Sequence, residues 1–76
     1  MEIPQLVIDK AQELIDQYGQ NFRYLGPKDG QEYYMFEYPE NILVGFPFVY
    51  AYNSTVDTVE EISGYEAHKI VNKLLK

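Results

Sequence analysis

Few side chains in this sequence could carry chemistry. His68 is the single histidine, and there is no cysteine to act as a nucleophile or thiolate ligand. A proton shuttle would need His68 held beside a carboxylate or a nucleophile. On a helical projection it shares a side with Tyr65 and Asn72, away from the apolar stripe, so it reads as an exposed histidine. Asp9, Glu13 and Asp16 follow one another at helical spacing. A divalent cation wants a fuller cage of oxygens than three carboxylates on one helix face, and these read as a solvated surface. Glu60 and Glu61 precede a helix start, where acids favour the helix dipole. The hydroxyls Ser54, Thr55, Thr58 and Ser63 form no nucleophile elbow. The glycines at 19, 26, 30, 45 and 64 form no phosphate-cradling loop. The expectation is a protein that is not an enzyme and that uses no metal and no cofactor.

The remaining candidates are aromatic. The chain holds eight tyrosines and four phenylalanines among its 76 residues. The run QEYYMFEYP, residues 31–39, is the densest stretch. Tyr24, Tyr34, Tyr38, Tyr50 and Tyr52 could offer hydroxyls to a polar ligand and rings to its apolar part. Rings on a sheet also suit single-stranded nucleic acid, but that function needs a positive groove. The net charge is −6, and Lys10, Arg23 and Lys28 are scattered; only Lys69, Lys73 and Lys76 gather. Nucleic acid and anionic membranes are therefore excluded as expected partners. The acid excess serves solubility or, alternatively, attraction to a basic partner.

The elements that must position these residues follow from periodicity. Val7, Ala11, Leu14 and Tyr18, with Ile3, Ile8 and Ile15 beside them, predict a helix over 4–18. Pro4 suits its start and Gly19 its end. A second helix is expected over 63–75, with Ser63 and Glu66 as a capping box and a stripe of Ala67, Ile70, Val71 and Leu74. Between them the period becomes two. Strands are expected at 21–25, 31–38, about 46–52 and 58–62, with GPKDG (26–30) and NSTVD (53–57) as turns and 40–45 as an extended approach. Pro47 marks an edge, a bulge or a strand start.

The fold class expected is α+β, one domain over residues 1–76: an N-terminal helix, a three- to four-stranded antiparallel sheet and a C-terminal helix. Such a chain is near the lower size limit for folding alone, and without disulfides its core must suffice. Twelve rings, each able to bury about 150–250 Å², are the expected source of that area.

Strand alternation separates two sets of side chains. Phe22, Tyr24, Tyr34, Phe36, Phe48 and Tyr50 form the first and are expected under both helices, on one face of the sheet. Leu25, Tyr33, Met35, Val49 and Ala51 form the second, among Arg23, Gln31 and Glu37, which resist burial unless paired. Those five are expected on an open face, as a contact surface. The function expected is a non-catalytic interaction module that self-associates or binds a protein partner through that face. The alternative is a small-molecule binding domain with a tyrosine-lined pocket between helices and sheet. No signal-peptide pattern and no membrane-length apolar run is visible, so a cytoplasmic location is expected.

Overall fold

The computed structural model describes residues 2–40, 42 and 45–74. Two short helices, α1 (Gln5–Lys10) and α2 (Gln12–Tyr18), precede the strands β1 (Phe22–Lys28), β2 (Gln31–Phe36), β3 (Val49–Asn53) and β4 (Thr58–Ile62). Helix α3 (Gly64–Leu74) follows them. The expected first helix is thus divided at Ala11, where φ is −93° and ψ 11°. The division is a bend rather than a gap. Ala11 N–H still donates to the Val7 carbonyl at 3.0 Å, and Ile15 N–H to the Ala11 carbonyl at 2.9 Å.

The strands form one antiparallel sheet in the order β1-β2-β3-β4, with β1 and β4 outermost. The first hairpin is tighter than the sequence suggested. GPKDG is not a five-residue turn: β1 runs on to Lys28 and only Asp29 and Gly30 turn. Both have positive φ, 52° and 80°, as a two-residue turn matched to the strand twist requires. Pro27 fits within β1 because an outer strand can spare a donor. A register shift between Tyr24 and Gly26 takes up the extra residue Leu25.

Across the sheet, Phe22 pairs with Phe36, Tyr24 with Tyr34, Tyr34 with Tyr50, and Glu32 with Tyr52. These side chains share one face, with Tyr38, Phe48 and Val59 packed into the same cluster. Val7 and Ala11 of the helical arm seal it, with Ile3, Leu14, Ile15 and Tyr18 around them. The rings meet edge to face: Phe22–Phe36 at 5.5 Å, Phe36–Tyr38 at 5.2 Å and Tyr18–Tyr38 at 5.0 Å between centroids. Such pairs add about 0.5–1.5 kcal/mol each beyond the area they bury. Phe22, Tyr34, Phe36, Phe48 and Tyr50 therefore pack with the N-terminal helices, whereas Tyr24, expected with them, is 42% exposed beyond their reach.

The C-terminal helix does not join it. Ala67 is fully buried among Leu25, Tyr33, Val49 and Ala51, with Ile70, Val71 and Leu74 beside it. Those strand residues alternate with the aromatic set, so α3 covers the opposite face. The expectation that both helices share one face is corrected, and with it the open face. The reason is that each face of the sheet carries its own apolar set. The helical arm fills the aromatic side, and the stripe of α3 finds its apolar counterpart on the other. Arg23 and Glu37, whose polarity argued for an open face, are exposed, while Gln31 is half-buried.

The chain passes from β4 into α3 through Gly64, whose φ of 68° lies in the left-handed region open to glycine. Ser63 and Glu66 make no capping-box hydrogen bond among the described residues; Glu66 instead lies 4.0 Å from Lys69. Glu66 in the first turn and Lys73 in the last still suit the dipole. The approach to β3 is not wholly extended: Ile42 N–H donates to the Pro39 carbonyl at 3.0 Å, a turn. Positions 41, 43 and 44 of that approach lie outside the described residues, as do position 75 of the expected second helix and Lys76 of the basic cluster.

The covered second face makes a sharp prediction. On an open sheet Met35→Lys would be nearly neutral. Here Met35 packs into the cluster beneath α3, and the substitution should cost about 1–3 kcal/mol. Urea denaturation followed by circular dichroism measures it; an unchanged midpoint would mean that the face is open.

Candidate functional site

The five residues expected to form a contact surface are found together, but inside. Leu25, Tyr33, Val49 and Ala51 are at most 7% exposed, and Met35 is half-buried beside them. A partner could reach them only by displacing α3. They are reassigned from a surface to a core.

The other expected chemistry is dispersed. Asp9 accepts from Gln5 at 2.9 Å, and Asp16 from Gln12 at 2.8 Å, each one helical turn away. Among the described residues, no three His, Asp or Glu side chains gather as a metal site would require. His68 is exposed on α3, with Asn72 Nδ2 3.1 Å from its Nε2 and the Phe46 ring 5.8 Å away. Among the described residues, no helix is long and apolar enough to cross a membrane.

Part of the space expected to hold a ligand, between the N-terminal helices and the tyrosines, is filled by the core. Concavities lie at its margins. One, of about 420 Å³, borders the end of β2 and is lined by Phe36, Tyr38, Pro39, Ile42 and Pro47, among others. Another, of about 480 Å³, lies between the helical arm and the sheet and is lined by Asp9, Lys10, Glu13, Phe48 and Glu61, among others.

The aromatic face is not covered to its end. Helix α1 lies against β3 and β4. Toward β1, Tyr24 remains 42% exposed, while Glu32 and Tyr52 are half-buried. Register explains the grouping. Tyr24 and Tyr34 are cross-strand partners, and Glu32 and Tyr52 form the next pair along. The rings of Tyr24 and Tyr34 stand 5.3 Å apart, tilted by 50°. The Tyr24 hydroxyl donates to Glu32 Oε1, and the Tyr52 hydroxyl to Asp57 Oδ1 at 2.9 Å. Asp57 occupies the β3–β4 turn with a φ of 54°. In that turn Thr55 N–H donates to Asn53 Oδ1 at 3.0 Å.

Tyr34 differs from its neighbours. Only 7% of the residue is exposed, yet its hydroxyl has no hydrogen-bond partner among the described residues. No polar side-chain atom among those residues is sealed in without a partner, so this hydroxyl opens to the surface.

The phenols are held in their neutral form. The hydrogen bond to Glu32, aided by desolvation and the carboxylate charge, pushes Tyr24 up to about 12. The Asp57 bond raises Tyr52. Burial first, then the charge of Glu32, raises Tyr34. Burial and the 2.8 Å bond to Glu61 raise Tyr50 much further. Phenolate chemistry near neutrality is thereby disfavoured. What this end of the sheet can do is present ring faces, carboxylate lone pairs and the Tyr34 hydroxyl.

Acidic side chains lie on both faces, Glu60 opposite Ala51 on the α3 side among them, whereas most of the described cations lie on the α3 side. The strand residues sharing the aromatic face include Glu32 and Glu61, which pair with Tyr52 and Tyr50. Arg23 pairs with Met35 on the side of α3, and Lys28 borders a concavity with Lys69 and Lys73. Strand alternation puts Glu32 in line with Tyr34 and Phe36 but assigns it no part in a site. The signal was there: a carboxylate at the end of an otherwise aromatic row. Asp57 is brought in by turn geometry that periodicity does not report.

No protein-family model, no curated protein and no solved structure matches this chain.

The raised phenols give stability a definite pH dependence. A tyrosine whose folded pKa exceeds the unfolded value of about 10 binds its proton more tightly when folded. Its contribution is complete below pH 10 and is lost as pH rises toward and beyond 12. Urea midpoints should therefore fall between about pH 9.5 and 12. Tyr50→Phe should lessen the fall while costing about 1–2 kcal/mol at pH 7, for the lost hydrogen bond to a charged group. Absorbance at 295 nm would follow phenolate formation alongside.

Proposed function

We propose that this domain is a non-catalytic interaction module that binds a protein partner through Tyr24, Glu32, Tyr34, Tyr52 and Asp57. The observation that supports this most is the Tyr34 hydroxyl, without a partner among the described residues, beside the exposed Tyr24 ring. Tyrosine is common at contact surfaces because its ring gives area while its hydroxyl gives direction, at low entropy cost. Strands hold the four sheet residues in register, so little ordering remains to be done on binding. The kind of function expected from sequence is retained. The surface is moved from the buried face to the open end of the aromatic one.

A second reading, a small-molecule binder, is favoured by the concavities, of which that of about 480 Å³ lies between the helical arm and the sheet. The concavity of about 420 Å³ at the end of β2 falls within the range of ligand sites.

Site-specific photo-cross-linking in the protein's native cells tests the first reading. A benzophenone side chain at position 24 should yield an adduct of one defined mass, lost when Tyr52→Ala is added. The same probe at position 65, exposed on α3, should yield none. No adduct from position 24, or equal adducts from both, would overturn the proposal.

A further inference from the structure

We infer that the group received by this platform is an arginine side chain, carried on an extended basic segment of the partner. The inference rests on the proposed function above and adds the chemistry of the partner.

Hydrogen-bond inventory comes first. Glu32 and Asp57 each accept one phenol hydroxyl and keep further lone pairs. The Tyr34 hydroxyl is uncommitted among the described residues and can accept as well. A partner at this surface is therefore met largely by acceptors. Guanidinium offers five N–H donors in a planar fork and no acceptor. A carboxylate or phosphate would bring the opposite chemistry and the wrong charge.

Ring faces are the second observation. Tyr24 and Tyr34 stand side by side at 5.3 Å, and Tyr24 is open to solvent. A cation over a tyrosine face is attracted by the ring quadrupole, and guanidinium also stacks on it as a plane. Ammonium would gain the first interaction without the second.

Charge complementarity is the third. The chain carries a net −6, and Glu32 and Glu61 lie on the aromatic face. Arg23 lies in the Arg23–Met35 pair on the α3 side, and Lys28, Lys69 and Lys73 gather around another concavity, which they share with Glu66. A basic segment is thus drawn to the side on which the rings lie. An extended segment suits a flat sheet end, where successive side chains alternate outward and toward the surface.

The probe is a blocked peptide alternating glycine and arginine, titrated into the whole ¹⁵N-labelled chain. The control replaces arginine by citrulline, which keeps the shape and loses the charge. The arginine peptide should give saturable shifts at Tyr24, Tyr34 and Tyr52, and the citrulline peptide none. Glu32→Gln should weaken binding about tenfold or more, the loss expected for one charge-assisted hydrogen bond. Tyr34→Phe, which keeps the ring, provides a second variant and should weaken binding several-fold. Equal titration by both peptides would overturn the inference. So would shifts centred on Asp9 and Glu13, which would mark unspecific attraction to acids. Failure here with a specific cross-link from position 24 leaves the interaction module standing with a different ligand chemistry; failure of both removes the two together.

Discussion

A sheet with apolar side chains on both faces must be covered twice, and every other feature of this chain answers to that demand. Tyr50 and Val49 are neighbours in β3, both fully buried, and they point opposite ways. One is sealed by Val7 and Ala11, the other by Ala67. A helix on a single side would leave one of them in water. The N-terminal arm and the C-terminal helix are thus two separate lids, with the four strands between them in the chain. The two coverings also differ in kind. The ring-filled side gathers its area from a few large side chains. The aliphatic side lets α3 approach closely through alanines at positions 51 and 67.

Much of this was legible in the sequence. The α+β class, the antiparallel sheet, the bounds of β4 and the alternation separating the rings from the aliphatic residues all follow from periodicity. What was not legible was the placement of α3. Alternation says which residues share a face but not which element covers it, and the polar Arg23 and Glu37 suggested water on the second side. Both are exposed while Leu25, Tyr33, Val49 and Ala51 are covered, because a helix of eleven residues shields only part of a sheet. The first hairpin was misjudged for a related reason. Pro27 looked like part of a turn, whereas position in the sheet decides whether a proline can be tolerated. The Asp29–Gly30 signal was the better guide.

The candidate site shows the same boundary between what is local and what is not. By alternation alone Glu32 belongs to the row of Tyr34 and Phe36. That it would meet the Tyr24 hydroxyl depended on the register of β1 with β2, including the shift at Leu25. Asp57 reaches Tyr52 only through the turn that follows β3. The exposure of Tyr24 depended on how far the helical arm extends across the sheet. Each residue type was visible; their meeting was a matter of tertiary geometry.

The two outer strands carry a further consequence. Residues 31–36, with their aromatics and single charge, are well suited to fibrillar stacking. They form β2, flanked on both sides by other strands. On the outer margins a stray chain meets Pro27 and the irregularity near Leu25 on one side, and the charges of Glu60 and Glu61 on the other. Neither margin offers an unbroken neutral ladder for templated growth. The order of the strands thus shelters that segment from its own copies.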